Sequence, residues 1–306
     1  MKLRIKQKRK AYWKRYRWIY FFLVPGIIYF AVFHYAPMYG IIMAFQDFRP
    51  VAGIAGSEFV GLENFRLLFQ SENFLNVFRN SLWISILRLV WGFPIPIAVA
   101  VILNEIRQKR FTKASQTILY MPHFISWVVL SGIIINMLSP AEGVVNQIIK
   151  ALGGEPIAFL QSEKWFRTVL VVSDIWKEAG WGAIVYIAAI SGIDAEMFEA
   201  AKVDGVTVWQ KIRYIVLPSI APTITVLFIL RLGSILKNGF EQVFMLYNPM
   251  VYEVADVFET YTYRIGLQQG QFGFATAVGL FQSVVGLILV LATNKLSSKF
   301  GEGGIW

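Results

Sequence analysis

Long apolar runs separated by shorter polar segments dominate the chain. Six of these runs are close to or above the roughly 20 residues that a helix needs to cross a bilayer. They cover residues 18–45, 81–103, 114–138, 167–193, 218–235 and 274–292. The pattern predicts an all-α integral membrane protein with six transmembrane helices. No internal repeat or flexible linker divides the chain, so we expect one membrane domain.

The fourth run is the least apolar because Asp174, Lys177 and Glu178 lie within it. Their spacings of three and four residues can place all three on one face of a helix. Charged groups inside a membrane are costly and usually face a bundle interior or a cavity. Two interpretations stay open: these residues line a pathway or contact a partner, or the span begins later and leaves them among the outer headgroups.

The charge distribution predicts the orientation of the chain. Residues 1–17 contain nine Lys or Arg and no acid, so the remaining residues carry 20 basic against 19 acidic groups. A basic tail beside an apolar run indicates retention on the cytoplasmic side, next to anionic lipid, rather than nucleic-acid binding. Basic loop residues agree with cytoplasmic N- and C-termini, and they are Arg107, Lys109, Arg110, Lys113, Lys295 and Lys299.

Composition supports the membrane class and limits the chemistry. Hydrophobic residues make up 56% of the chain and charged residues 16%, with a mean hydropathy of +0.54. A soluble domain carries about 25% charged residues. The chain has no cysteine, and its two histidines lie in separate runs, so a metal site is not expected. No Gly-x4-Gly-Lys-Ser/Thr loop or hydrolase motif is present, which argues against an ATPase or other enzyme.

A polar segment at residues 194–218 separates the fourth and fifth runs. Asp194 is suited to cap a helix over 195–203, and Gly205 permits a turn that a residue with a Cβ resists. A second short helix over 207–215 follows, and Pro218 is suited to open the fifth span. The segment is therefore predicted to form a helix-turn-helix elbow on the cytoplasmic side.

This segment resembles the EAA loop of ABC importer permeases, which reads Glu-Ala-Ala, three residues, Gly, nine residues, Ile-x-Leu-Pro. The positions that match are Glu199, Ala200, Ala201, Gly205, Ile215, Leu217 and Pro218. In that family the loop docks onto a separate ATPase. The resemblance implies that Ala200 and Ala201 allow close approach of that partner, while Glu199 and Asp204 place charge at the rim of the contact.

The resemblance implies a type I ABC importer permease fold in the cell membrane, over about residues 80–298. It divides the rest into a basic tail (1–17), a first span with its outer loop (18–79) and a C-terminal tail (299–306). Expected partners are a second homologous permease, a cytoplasmic ATPase dimer, an extracytoplasmic solute-binding protein and membrane lipid, but no nucleic acid. No cofactor is expected on this chain, since ATP and Mg²⁺ belong to the ATPase.

The chain is most similar to the carbohydrate branch of the family. The segments that suggest this are Tyr120-Met121-Pro122, Gly239-Phe240-Glu241-Gln242 and Gly301-Glu302-Gly303-Gly304-Ile305-Trp306. A sugar presents apolar C–H faces and hydroxyl groups, so aromatic and charged side chains near the spans are candidates to contact it. The candidate pathway residues are Tyr120, Trp127, Asp174, Trp176, Lys177, Glu178, Trp181, Arg231, Phe240 and Glu241, with Arg88 and Tyr186 also considered.

Alternative interpretations remain at this point. Trp and Tyr also anchor helices at membrane interfaces, and Arg88 or Arg231 can pair with an acid or extend to the interface. The cargo can instead be an amino acid or a polyamine. An ion-coupled secondary transporter working alone is a further alternative, which would use Asp174 and Glu178 as coupling sites.

Overall fold

A computed structural model describes the backbone of residues 2–106 and 108–299 and the side chains of residues 16–106 and 108–295. Several groups on which the sequence predictions rest lie outside these ranges. They are the basic side chains before Tyr16, Arg107, the Lys299 side chain and the C-terminal segment 301–306.

Most of the described chain is helical. The α-helices are α1 (Lys2–Phe30), α2 (Gly53–Gly56), α3 (Glu63–Gln70), α4 (Glu72–Leu87), α5 (Pro94–Glu105), α6 (Lys109–Tyr120), α7 (Trp127–Leu138), α8 (Val144–Ala151), α9 (Glu163–Ser191), α10 (Ala195–Val203), α11 (Val208–Lys211), α12 (Leu217–Gly233), α13 (Phe240–Leu246), α14 (Tyr252–Ala255), α15 (Phe258–Tyr263) and α16 (Phe272–Lys299). Turns of 3₁₀-helix cover Ala36–Phe45, Met121–Phe124 and Pro249–Val251. Turns of π-helix cover Ala31–Tyr35, Arg88–Gly92, Ile212–Val216 and Arg264–Gln268.

Four continuous helical segments in the described ranges are long and apolar enough to cross a membrane. They are Tyr16–Phe45, Glu72–Glu105, Val208–Gly233 and Phe272–Lys295. Two bent helix pairs also qualify, namely Lys109–Phe124 with Trp127–Leu138, bent by 103°, and Glu163–Ser191 with Ala195–Val203, bent by 76°. The predicted membrane-spanning helices are therefore present, and the number of spans is four to six, depending on how each bent pair is counted.

The third predicted span consists of two helices joined by a bend rather than of one helix. α6 gives way to a 3₁₀ turn that contains Pro122, and the chain then changes direction. The hydroxyl of Ser126 accepts a hydrogen bond from the N–H of Val129 at 3.4 Å, which caps the new helix α7. Proline restricts the residue before it and serine favours a helix start, so the two together break the span.

Three prolines within the other spans follow π-helical turns and do not end the helix. Such turns lie just before Pro37, Pro94 and Pro218. Proline has no N–H to donate to the carbonyl four residues earlier, and a widened turn accommodates its ring without ending the helix. The helix therefore runs from Val208 through Pro218 to Gly233, which corrects the prediction of a separate helix over 207–215 and a new start at Pro218.

The segment after the first span contains a short hairpin that the sequence analysis did not predict. Strand β1 (Gln46–Asp47) pairs with the antiparallel strand β2 (Glu58–Phe59), with Gln46 opposite Phe59. The amide of Asn64 donates to the carbonyls of Ala44 and Gln46 at 3.0 Å each, and so ties the hairpin to α3. The strands are two residues long, too short to produce an alternating apolar pattern.

Close packing of α9 against its neighbours shapes the interior. A Cβ added at Gly180 would lie 2.0 Å from the carbonyl oxygen of Leu119 in α6, so only glycine allows this approach. A Cβ added at Gly182 would lie 3.2 Å from ring carbons of Pro96 in α5, which is also a close contact. Apolar residues of α5, α9 and α12 form a common core on the side nearer the elbow, and they include Ala100, Ala183, Tyr186, Ile190 and Ile220.

Candidate functional site

The segment 194–218, called the elbow below, begins with a capped helix. The Asp194 carboxylate accepts a hydrogen bond from the N–H of Glu196 at 3.0 Å. Helix α10 then extends to Val203, the range predicted from the sequence. An oxygen at this position satisfies one of the unpaired N–H groups of the first turn, which fixes where the helix starts.

The turn of the elbow requires glycine because of its backbone conformation. The N–H of Val206 donates to the carbonyl of Ala201 at 3.2 Å, and that of Gly205 donates to Lys202 at 3.3 Å. This pair of bonds is the Schellman motif that ends many helices. Gly205 has a φ of 66°, in the left-handed region, while a Cβ there would meet no atom within 4 Å. A bulkier residue is therefore excluded by φ rather than by space.

A second cap starts the helix that leaves the elbow. The Thr207 hydroxyl accepts from the N–H of Gln210 at 3.3 Å, and the Gln210 side chain accepts from the N–H of Thr207 at 2.8 Å. This reciprocal pair is a capping box. One turn later, the Lys211 ammonium lies 2.6 Å from the Glu105 carboxylate at the end of α5. The elbow is thus braced against the end of a second span.

Apolar side chains cover the outer surface of the elbow. Val203 is 88% exposed and Trp209 68% exposed, although both are apolar. This surface is called the apolar patch, and it consists of Met197, Val203, Val206, Val208, Trp209 and Tyr214. Exposed apolar side chains gathered in one short segment are typical of a protein contact.

The eight predicted coupling residues differ in their solvent exposure. Glu199, Ala200, Asp204, Gly205 and Pro218 are exposed, while Ile215 and Leu217 are half-buried. Ala201 is only 6% exposed and packs against its own chain. The expectation that both alanines face a partner is therefore corrected, because the helical period turns Ala201 inward and leaves Ala200 outward.

A cavity of about 440 Å³ lies between α5, α9 and α12, farther along the same helices. Its charged lining residues are Arg88, Asp174, Glu178, Arg231 and Lys237, and its aromatic ones include Phe93, Trp181 and Tyr186. Four of the ten predicted pathway residues, Asp174, Glu178, Trp181 and Arg231, are brought together here although they come from different helices. A cavity with a few polar groups among apolar walls is typical of a binding site.

Two arginines share one carboxylate in the cavity. Asp174 lies 4.0 Å from Nε of Arg88 and 3.9 Å from Nη2 of Arg231. The two arginines differ in environment: the Arg88 side chain is 7% exposed and that of Arg231 is 48% exposed. Arg88 also donates to the carbonyl of Asn238 at 2.6 Å and to the side chain of Gln242. Arg88 therefore braces the segment after α12, while Arg231 faces open space.

Glu178 and Trp181 connect the cavity wall to the bend of the third span. Nδ1 of His123 lies 2.9 Å from the Glu178 carboxylate. The His123 ring also stacks on Trp181, with the two planes parallel and the ring centres 4.5 Å apart. One face of the Trp181 ring is therefore covered by His123, and Trp181 lines the cavity as well.

Lys177 holds the bend itself and lies outside the cavity lining. Its ammonium donates to the carbonyls of Pro122, His123 and Ile125 at 3.3, 2.7 and 2.5 Å. It also lies 5.5 Å from the ring centre of Trp127 at the start of α7. The Lys177 residue is buried, at 6% exposure, so its charge is compensated by carbonyl groups that the break in the helix leaves free.

The remaining predicted pathway residues also lie outside the cavity. Tyr120 ends α6, and Trp127 contacts Lys177. Trp176 lines a separate apolar groove between α7 and α9. Phe240 lines a larger groove of about 960 Å³ along α15 and α16, and Glu241 is exposed beside it at the start of α13.

A buried carboxylate lies at the edge of that larger groove. Glu259 in α15 accepts hydrogen bonds from the N–H of Asn238 at 3.1 Å and from the amide of Gln282 at 3.2 Å. Burial raises the pKa of Glu259 above its ordinary value, and these hydrogen bonds partly oppose that rise. Glu259 thus anchors the segment after α12, as Arg88 does, and the two opposite charges attract each other.

A family model described as the binding-protein-dependent transport system inner membrane component matches residues 92–301. The chain belongs to this family. Members are transport subunits that work with a separate ATPase, so the prediction of a permease rather than an enzyme is confirmed. The matched range includes the whole elbow and most of the cavity lining.

Relatives and solved structures agree with this assignment. The polygalacturonan/rhamnogalacturonan transport system permease protein YteP of Bacillus subtilis is 46% identical over 290 residues, which cover 95% of this chain and 90% of YteP. The arabinooligosaccharides transport system permease protein AraP of the same organism is 28% identical over 93% of this chain and 90% of its own length. A bacterial alginate ABC transporter, solved in complex with an alginate pentasaccharide-bound periplasmic protein, matches with a TM-score of 0.89 and 45% identity over 96% of this chain and 99% of its own. The predicted type I permease fold is therefore confirmed.

The sequence analysis missed one charged residue of the cavity, Lys237. It lies six positions after Arg231, beyond the end of α12 and beyond the fifth apolar run at 218–235. Gly239 has a φ of 74° and turns the chain back toward the helices immediately afterwards. Gly239 is a sequence signal for this reversal. The approach of the segment to Arg88, however, depends on a contact between residues 150 positions apart in the sequence.

Proposed function

We propose that this chain is a permease subunit of an ATP-driven importer for oligosaccharides or polysaccharide fragments. The relatives support this cargo, since YteP and AraP are named for saccharide transport and the solved transporter was captured with an alginate pentasaccharide. A solute-binding protein would deliver the cargo at the outer face. The transporter solved with its periplasmic protein supports that partner.

The observation that carries the proposal is a continuous helix between the elbow and the cavity. It runs from Val208 to Gly233, with exposed Trp209 near one end and cavity-lining Arg231 near the other. At 1.5 Å per residue, the 22 steps between them span about 33 Å. Motion applied to the elbow is therefore transmitted to the cavity wall by one helix.

The transport cycle follows from this arrangement. The apolar patch docks on the ATPase dimer, and the exposed coupling residues Glu199, Ala200 and Asp204 meet its surface. Binding of ATP and Mg²⁺ closes the ATPases, which moves the elbow and its helix and opens the cavity outward to accept the saccharide. Hydrolysis returns the cavity to the inward-facing state. A second homologous permease completes the pathway, and exposed apolar side chains of the outer helices contact lipid.

The same proposal assigns the topology. The bent pair of α6 and α7 counts as one span and α9 as another, with α10 left in the elbow, which gives six spans with cytoplasmic N- and C-termini. The basic tail (1–17), the first span and outer loop (18–79), the permease domain (80–298) and the C-terminal tail (299–306) are its parts. Support comes from the basic residues that flank the inner ends of the spans.

Reconstitution of the complete transporter tests the function. The chain, its second permease, its ATPase and its solute-binding protein are placed in liposomes, and uptake of labelled galacturonate and arabinose trimers is measured. We expect uptake that requires both ATP and the binding protein. Replacing Val203 and Trp209 together by serine should abolish ATPase binding and uptake, whereas Leu152→Ser, at an equally exposed apolar residue beyond α8, should not.

The alternatives give different results in the same system. Uptake of amino acids or polyamines but not of saccharides would show that the cargo is a different solute, while the ATP-driven mechanism would still hold. Uptake by this chain alone, driven by an ion gradient and indifferent to ATP, would show a secondary transporter and overturn the proposal.

A further inference from the structure

The cavity is lined by charged groups of both signs. Its lining includes three cations, Arg88, Arg231 and Lys237, against two carboxylates, Asp174 and Glu178. Asp174 is shared by the two arginines, and Glu178 is occupied by His123. Glu259, buried behind the lining, balances the charge of Arg88, so the cations open to the cavity are Arg231 and Lys237. They lie in a partly enclosed space where electrostatic attraction is stronger than in open water.

Two of the cations have free hydrogen-bonding capacity. Within the described residues, neither the Arg231 guanidinium nor the Lys237 ammonium makes a hydrogen bond to the chain, and the 3.9 Å between Arg231 and Asp174 is too long for one. Both residues are exposed, and both line the cavity. Arg88 differs, because its buried guanidinium is held by Asn238 and Gln242. Arg231 and Lys237 are therefore the groups that can bind an anionic ligand.

The relatives are named for both charged and uncharged cargo, and the more identical ones, YteP and the transporter of the acidic polysaccharide alginate, for charged cargo. YteP is named for polygalacturonan, an acidic polymer, whereas AraP is named for arabinooligosaccharides, which are uncharged. The cavity provides an independent argument for charged cargo, from the residues of this chain. Arginine and lysine bind carboxylates by charge-assisted hydrogen bonds, while a neutral sugar needs no cation without a hydrogen-bond partner.

We propose that Arg231 and Lys237 bind carboxylate groups of the transported saccharide, so that this cavity selects oligosaccharides that contain uronic acid residues. The inference rests on the proposed function and adds a second level of selection after the solute-binding protein. Arg231 already faces one carboxylate, that of Asp174, in the structure, and a uronate group approaching from the cavity can take the open side of its guanidinium. The exposed part of the Trp181 ring offers an apolar surface to the sugar ring beside these cations.

The test compares two ligands that differ only in charge. The complete transporter is reconstituted in liposomes, and uptake of the α-1,4-linked galacturonate trimer is compared with uptake of its methyl ester, whose carboxylates are capped. Arg231→Gln and Lys237→Gln are each expected to lower kcat/KM for the free acid about tenfold, the loss expected for one hydrogen bond to a charged group. Uptake of the ester should change less than twofold. Because all variants use the same solute-binding protein, a change in the acid-to-ester ratio reports on the permease.

Matched variants separate charge recognition from damage to the fold. Arg66→Gln in α3 and Lys150→Gln in α8 remove the same charge from exposed positions outside the cavity lining and should leave the ratio unchanged. Arg231→Lys and Lys237→Arg keep the charge and should recover most of the uptake of the acid. Lys237 is exposed after the end of α12, so its glutamine variant is expected to fold normally.

Several outcomes would overturn the inference while leaving the proposed function intact. Equal uptake of the acid and its ester by the unmodified transporter would do so. An unchanged acid-to-ester ratio in Arg231→Gln and Lys237→Gln would do the same, whether uptake of both ligands falls together or not at all. Failure of the proposed function looks different, since no saccharide of either charge would then be taken up.

Discussion

The elbow and the bend of the third span are both breaks between helices, but different interactions stabilise them. In the elbow, every capping bond joins residues close in sequence, such as Val206 to Ala201 and Thr207 to Gln210. At the bend, the carbonyl of Ile125 is held by Lys177, 52 residues away. A break stabilised by local bonds can move as a unit when a partner pulls on it. A break fixed by a neighbouring helix instead forms part of the rigid wall against which that unit moves.

The largest effect is expected at the bend. Lys177→Met removes the cation from three carbonyls in a buried position and leaves them without a charged donor, which should cost about 3 kcal/mol of folding free energy. Thermal unfolding of the purified subunit in detergent measures this loss. Lys164→Met on the same helix, at an exposed position, serves as the control and should leave the unfolding temperature unchanged. Equal unfolding temperatures for both variants would show that Lys177 does not stabilise the bend.

The contrast between these regions also explains what could be predicted from the sequence. Helix α10, its Asp194 cap and the turn at Gly205 were predicted because each depends on a few neighbouring residues. The bend after Met121–Phe124 was missed, although Pro122 and Ser126 are local signals for it, because residues 114–138 are apolar overall and the stabilising cation comes from another helix. The apolar pattern of a segment indicates which of its residues are buried. It cannot show which charged residue elsewhere in the chain compensates the free carbonyl groups of that segment.

The cavity was predicted in part for the same reason. Asp174, Glu178 and Arg231 were selected because charge in a membrane-spanning segment is costly, an argument that needs no knowledge of neighbours. That argument could not separate Lys177, which stabilises the bend, from Asp174, three residues earlier, which lines the cavity. The π-helical turns before Pro94 and Pro218 were also missed, since a proline in the sequence predicts an interruption but not how the helix absorbs it.

A smaller energetic effect, confined to the moving unit, is expected at Gly205. Gly205→Val forces a β-branched residue to a φ of 66°, at a cost of about 1–2 kcal/mol or more, which favours a different turn. We expect the ATPase to hydrolyse ATP without driving uptake, while the unfolding temperature of the spans stays the same. ATP hydrolysis and uptake are measured together in liposomes. Gly205→Asn is the matched variant, because asparagine tolerates the left-handed conformation, and it should retain most of the coupling. Coupled transport by the valine variant would show that the turn geometry is not needed.

The smallest effect is expected where the elbow meets the rest of the molecule. The Lys211–Glu105 ion pair, at 2.6 Å, is a direct contact from the moving helix to the end of α5, and both side chains are mostly buried. A pair of this kind contributes about 1 kcal/mol, so Lys211→Glu or Glu105→Lys alone should lower ATP-driven uptake about threefold to fivefold. The double variant restores the pair with its charges reversed and should recover uptake. If both single variants are impaired and the double variant is as poor as either, each residue acts through a different partner. Recovery would instead show that a non-local contact transmits part of the motion, and that the elbow is not driven through its own helix alone.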